Sequence, residues 1–85
     1  MDTNSIKEAI KTQVYHLTSE AKVPLHKHDD KDEIFYGIKG SGFGVLENGE
    51  EELTVGIAFI VPAGTMHSLR TDGDLVVASF LVPSL

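Results

Sequence analysis

Cysteine is absent from the 85 residues, so no disulfide can staple the fold. That absence suits a reducing cytosol. Basic residues are scarce: 7 lysines and arginines stand against 13 aspartates and glutamates, a formal net charge of −6. The cations are scattered along the chain as Lys7, Lys11, Lys22, Lys27, Lys31, Lys39 and Arg70. Nothing in that scatter offers the basic footprint that nucleic acid requires. Long apolar runs are missing too. The N-terminus carries no uninterrupted apolar h-region, and the longest strongly apolar run, Leu75 to Pro83, is too short to cross a bilayer. The expectation is a soluble, cytoplasmic protein that engages neither nucleic acid nor membrane.

A chain this short buries about two thirds or less of its unfolded surface, so its core is marginal without help. With disulfides excluded, a bound metal and a dimer interface are the two remaining sources of help. No internal repeat or linker divides the sequence, and residues 1–85 are expected to fold as a single domain.

Residues 5–10 carry a capping-box pattern, Ser5 with Glu8 three positions on, and Ile6, Ala9 and Ile10 share one helical face. Residues 1–12 are therefore expected to form a short helix or an extended arm. From residue 13 the period changes to two. Gln13–Thr18 reads as a strand, followed by the runs Glu33–Lys39, Phe43–Glu47, Glu51–Val55, Ile57–Val61, Met66–Thr71 and Leu75–Val82. The punctuation between them is Gly40-Ser41-Gly42, Asn48-Gly49, Gly56, Pro62-Ala63-Gly64 and Asp72-Gly73. Asn48-Gly49 favours a type I′ hairpin turn because both residues tolerate positive φ. Gly64 supplies positive φ before His67, and Pro62 fixes φ ahead of it. Short strands with this punctuation predict an all-β sandwich or barrel.

Three of the four histidines fall into one pattern with a glutamate: His26, His28, Glu33 and His67. In extended chain, i and i+2 share a face, so His26 and His28 turn inward and Lys27 outward. Glu33 faces inward with Phe35 and Gly37, and His67 with Leu69. Three imidazoles and one carboxylate suit a divalent first-row metal, with iron, manganese, nickel, copper, cobalt and zinc all compatible. Buried without a metal, these groups would each need a hydrogen-bond partner. Asp29 and Asp30 could supply acidic partners for the histidines, although loop residues usually face water. His16 shares a face with Thr18, opposite Tyr15 and Leu17, and is left out of the set. Glu50-Glu51-Glu52 reads as a solvated face.

These residues resemble the small single-domain cupins. His26, His28, Glu33 and Gly40 match the family's first motif, and Gly56, Pro62, Gly64 and His67 match its second. Glu20 stands where the first motif begins with glycine, and Thr71 where the second closes with asparagine. The resemblance implies a jelly-roll barrel of six to eight antiparallel strands, dimeric, with the metal inside. It leaves activity open, because that barrel hosts oxygenases, isomerases, lyases and non-catalytic binders alike.

The residues narrow the choice a little. Arg70 falls opposite His67 and Lys27 opposite the histidines, so no cationic clamp for an anionic substrate points inward. Phe35 and Leu69, with Phe43, Phe59 and Phe80 as further candidates, form an apolar wall, and Tyr36 alternates outward. No residue is assigned as catalytic. The expected function is metal-dependent chemistry, oxygenase-like or isomerase-like, on a small neutral or aromatic substrate. The alternatives are a metal-bearing small-molecule binding or sensing module without turnover, and a barrel whose metal is purely structural.

Overall fold

The structure is a computed structural model describing residues 2–21 and 23–84; Met1, Lys22 and Leu85 lie outside them. It comprises one helix, α1 (Thr3–Ala9), and six strands: β1 (Lys11–Thr18), β2 (Lys31–Leu46), β3 (Gly49–Thr54), β4 (Ala58–Val61), β5 (His67–Arg70) and β6 (Asp74–Pro83). All ladders between the named strands are antiparallel. The arrangement is a jelly roll of two sheets joined through β2.

The helix starts earlier than its sequence pattern suggests. Asp2, not Ser5, is the N-cap, and its carboxylate accepts the Ser5 N–H at 2.8 Å. That hydrogen bond holds the Asp2 carboxyl below its ordinary range. A carboxylate at the N-cap also meets the positive end of the helix, and the upstream start gains part of a turn. Ile6, Ala9 and Ile10 are half-buried on the side that meets β6.

The largest departure concerns Gly40-Ser41-Gly42. It is not a turn between two strands. β2 runs through it for 16 residues and changes sheets on the way. Its first half pairs with β6 on one side and β4 on the other, giving the first sheet, β1-β6-β2-β4. Its second half lies between β3 and β5, giving the second sheet. A register shift between Gly37 and Lys39 and a φ of 75° at Gly40 bend the strand without breaking it.

The hairpin after β2 also differs from expectation. Its two turn residues are Glu47 and Asn48, with Leu46 opposite Gly49. Asn48 has no positive φ, so the turn is not type I′. A turn centred on Asn48-Gly49 would have set Glu47 directly opposite Glu50, a like-charge pair the observed register avoids.

The core lies between the sheets and contains Leu17, Phe35, Leu53, Phe59, Val61, Leu69, Leu75 and Val77. Phe59 packs on the backbone of Gly44, where a Cβ would come within 2.5 Å of its ring. Deleting such a ring costs about 3–5 kcal/mol. A chain of this length has only about 4–13 kcal/mol in total, so each large core side chain matters.

Candidate metal centre

The two sheets converge at one end of the barrel, and the four sequence-selected residues meet there. Glu33 comes from the first sheet, inward on β2 between Val61 and Leu81. His67 opens β5 in the second sheet, opposite Leu46. His26 and His28 lie on the segment between β1 and β2, which is extended but not a regular strand. One candidate ligand atom from each of the four lies within 4.8 Å of the others. Around an ion bound at about 2.0–2.2 Å, ligand atoms sit about 3–4 Å apart, so small side-chain rotations close the set.

Backbone hydrogen bonds fix the histidine segment. His26 forms an isolated antiparallel bridge with His67, its N–H donating to His67 O at 3.0 Å and its carbonyl accepting from His67 N at 2.8 Å. The His28 carbonyl accepts from Gly64 N at 2.7 Å. Gly64 makes that approach at φ 83°, the positive value expected of it. Two side chains add to the anchorage. Ser68 Oγ donates to Val23 O at 2.7 Å, and Asp32 Oδ1 accepts from Ala63 N at 2.8 Å.

The same bonds decide which ring nitrogens face inward. His26 Nδ1 lies 3.0 Å from Pro24 O, and His67 Nδ1 lies 2.9 Å from Thr65 O. A carbonyl only accepts, so both Nδ1 atoms carry hydrogen, and in the neutral rings the lone pair sits on Nε2. His67 Nε2 faces Glu33 Oε1 at 3.1 Å, and His28 Nε2 faces the same oxygen at 3.2 Å. The lone pair on His67 Nε2, opposed to a carboxylate at that distance, repels it unless a cation joins them. The donor set therefore fits a divalent ion. His67 and Glu33 are buried, His28 is half-buried and His26 is partly exposed at the rim.

Above the cluster opens a cavity of about 410 Å³. Of the expected wall residues, Phe35 and Leu69 line it. Phe59 instead belongs to the core, Phe43 stacks under the Arg70 guanidinium at 4.2 Å, and Phe80 lies on the outward side of β6. The rest of the wall comes largely from β1, through Tyr15, His16 and Leu17, with Val23, Ser68 and Leu81. Strand alternation points Tyr15 and Leu17 inward, but which strand closes the cavity is settled only by the pairing of β1 with β6. His16 stands at this wall outside the four-residue cluster and pairs with Asp74 at 2.8 Å.

The loop aspartates face solvent rather than the histidines. Asp29 pairs with Lys27 at 3.4 Å, and both Asp29 and Asp30 are exposed. The carboxylate that braces the site is Asp32. A second missed residue is Ser79, 3% exposed, whose hydroxyl donates to Glu33 Oε2 at 2.5 Å. Its signal was a polar residue in the inward-facing series Leu75, Val77, Ser79, Leu81.

The two motif departures have local explanations. Glu20 lies in the turn after β1, where no residue adopts positive φ and no glycine is required. Thr71 is buried; its hydroxyl donates to Ser41 O at 2.7 Å and accepts from Gly73 N at 3.0 Å, tying the β5–β6 turn to β2. Arg70 points away from the cavity toward Glu50 and Asp72.

Comparison with known proteins agrees with this architecture. The family described as Cupin domain matches residues 13–83. The uncharacterised protein MJ1618 of Methanocaldococcus jannaschii is 30% identical over 84 residues, covering 87% of this chain and 67% of that one. A glucose-6-phosphate isomerase of Sinorhizobium medicae is 30% identical over 66 residues, but the match spans only 31% of its length. A solved structure from Thermotoga maritima, described as a predicted oxalate decarboxylase, superposes with a TM-score of 0.80 at 20% identity, covering 98% of this chain and 75% of that one. At that identity the likeness is one of fold.

Proposed function

The chain belongs to the cupin family, and on that footing we propose that His26, His28, Glu33 and His67 hold one divalent transition-metal ion and that the cavity above them receives a small neutral or aromatic molecule. The observation that carries the reading is the buried Glu33 carboxylate with two imidazole Nε2 atoms turned onto one of its oxygens. A buried carboxylate without a compensating cation costs several kcal/mol. When bound, the ion supplies Lewis acidity, or redox chemistry if it is iron, copper, manganese or nickel.

The chain's own residues do the rest. The Pro24 and Thr65 carbonyls hold two rings in the tautomer that presents Nε2. Leu17, Phe35, Leu69 and Leu81 give the cavity apolar walls that exclude water from a bound molecule. Among the described residues no lysine or arginine lines the cavity. A sugar phosphate or a dicarboxylate would meet no cationic clamp from the described residues beyond the ion itself, so the described wall favours a neutral molecule over the substrates named for the isomerase and the decarboxylase. A non-catalytic binding module is the second reading. It is favoured because, among the described residues and apart from the four ligands, Tyr15, His16 and Ser68 are the only ionisable or hydroxyl-bearing side chains on the wall. Loading the metal-free protein with cobalt(II) tests the proposal. The visible band should saturate at one ion per chain and then shift on adding azide. A saturated band indifferent to azide would leave no position for a ligand and reject both readings.

We further propose that a second copy of the chain covers the outward side of the first sheet. Two cross-strand rows lie there, Thr12-Phe80-Ile34-Ile60 and Val14-Ala78-Tyr36-Ala58, and neither contains a charge. Val14 is 67% exposed, Ile60 63% and Tyr36 45%. Among the described residues nine large hydrophobic side chains are exposed against eight in the core. The radius of gyration, 12.9 Å, exceeds the roughly 12 Å expected for a compact chain of this length. These two uncharged rows offer a charged partner nothing to pair with, whereas they can pack on their own copy without burying an unpaired charge.

A further inference from the structure

The two oxygens of Glu33 have different neighbours. Oε1 faces Nε2 of both His28 and His67, whereas Oε2 accepts the Ser79 hydroxyl. Ser79 sits inward on β6, opposite Phe35 of β2 and Gln13 of β1. Its flanking inward residues, Val77 and Leu81, are apolar. A serine on such a row loses its water, and its hydroxyl needs a buried acceptor. Oε2 is the side-chain acceptor in reach, and a hydrogen bond to a carboxylate is roughly twice as strong as a neutral one.

An ionised carboxylate has about four lone-pair sites and can grip a cation through one oxygen or both. With Oε2 engaged by a buried hydroxyl, the second oxygen is held back. We infer that Ser79 is a positioning residue of the metal centre: it restricts Glu33 to a single ligating oxygen and so keeps one coordination position open for an external molecule. This inference rests on the proposed metal site. It assigns Ser79 no contact with the ion; the serine acts through Glu33 alone.

The test compares cobalt(II) titrations of the metal-free parent protein with Ser79→Ala, Ser79→Thr and Ser79→Cys, each followed by azide. Loss of an outer partner of a metal ligand costs about 10–100-fold in affinity, so Ser79→Ala should weaken cobalt binding by that factor. Its visible spectrum should change as the released carboxylate oxygen enters the coordination sphere, and its azide affinity should fall. Ser79→Thr, which keeps the hydroxyl, should restore the parent spectrum, with the melting temperatures of the metal-free proteins reporting separately on folding. A Ser79→Ala protein with the parent's cobalt affinity, spectrum and azide response would overturn the role of Ser79 while leaving the metal site standing. Threonine and cysteine variants as impaired as alanine would also overturn it, since packing rather than the hydroxyl would be responsible. A parent protein that takes up no cobalt would reject the metal site and this inference together.

Discussion

The two sides of the first sheet each carry groups of the less expected polarity. Its inward side carries a carboxylate at Glu33 and a hydroxyl at Ser79 among core residues; its outward side carries Val14, Ile34, Tyr36, Ile60 and Phe80. Alternation along β2 and β6 forces the choice, because each residue moved inward sends its neighbours outward. Polar groups are stable inside when they are paired, and Glu33 has Ser79 and two imidazoles. Apolar groups are stable outside when something covers them, and the isolated chain supplies only α1 beside β6. On the reading proposed above, the inward side takes a cation and the outward side a second subunit.

The outward half of that comparison breaks most visibly. Val14→Lys together with Ile60→Lys places a charge in each of the two apolar rows. Sedimentation equilibrium should show the parent as a dimer and the double variant as a monomer, halving the mass. A parent that sediments as a monomer at micromolar concentration would overturn the second-copy proposal.

The second sheet offers the contrasting case of polar groups paired at the surface, and the smallest effect belongs there. Arg70 grips Glu50 through two hydrogen bonds and holds the Glu50 carboxyl below its ordinary value of 4.5. A depressed folded-state value means that the pair's contribution is fully present above pH 4.5 and lost as pH falls through the lowered value. Glu50→Gln should lower the melting temperature slightly at neutral pH, since exposed pairs contribute little. The difference from the parent should vanish in acid; a difference independent of pH would show that the carboxylate charge is not responsible.

The sequence made the four-residue cluster legible because its residue types are costly to bury unpaired and because alternation suggests their facing. His26, His28, Glu33 and His67 needed no knowledge of which strands pair. The course of β2 was not legible for the opposite reason. Gly40-Ser41-Gly42 has turn chemistry locally, yet the pairing of β2 with β6 before it and β3 after it keeps the chain extended. The cavity wall depended on the same long-range pairing, so Phe43 and Phe80 were plausible by parity and wrong by position. Ser79 was marked only as a polar residue in an apolar inward series, and it becomes a partner of Glu33 only through the Phe35–Ser79 register. At the helix, two good caps stood three residues apart, and the upstream Asp2 prevailed.

Metal retention by the parent protein and by His67→Ala through identical dialysis tests the shared site most directly. His67 lies 34 residues beyond Glu33 and reaches the cluster only through the meeting of the two sheets. The account predicts one ion per parent chain and a loss in His67→Ala as complete as in His28→Ala. Equal metal content in parent and His67→Ala would contradict it.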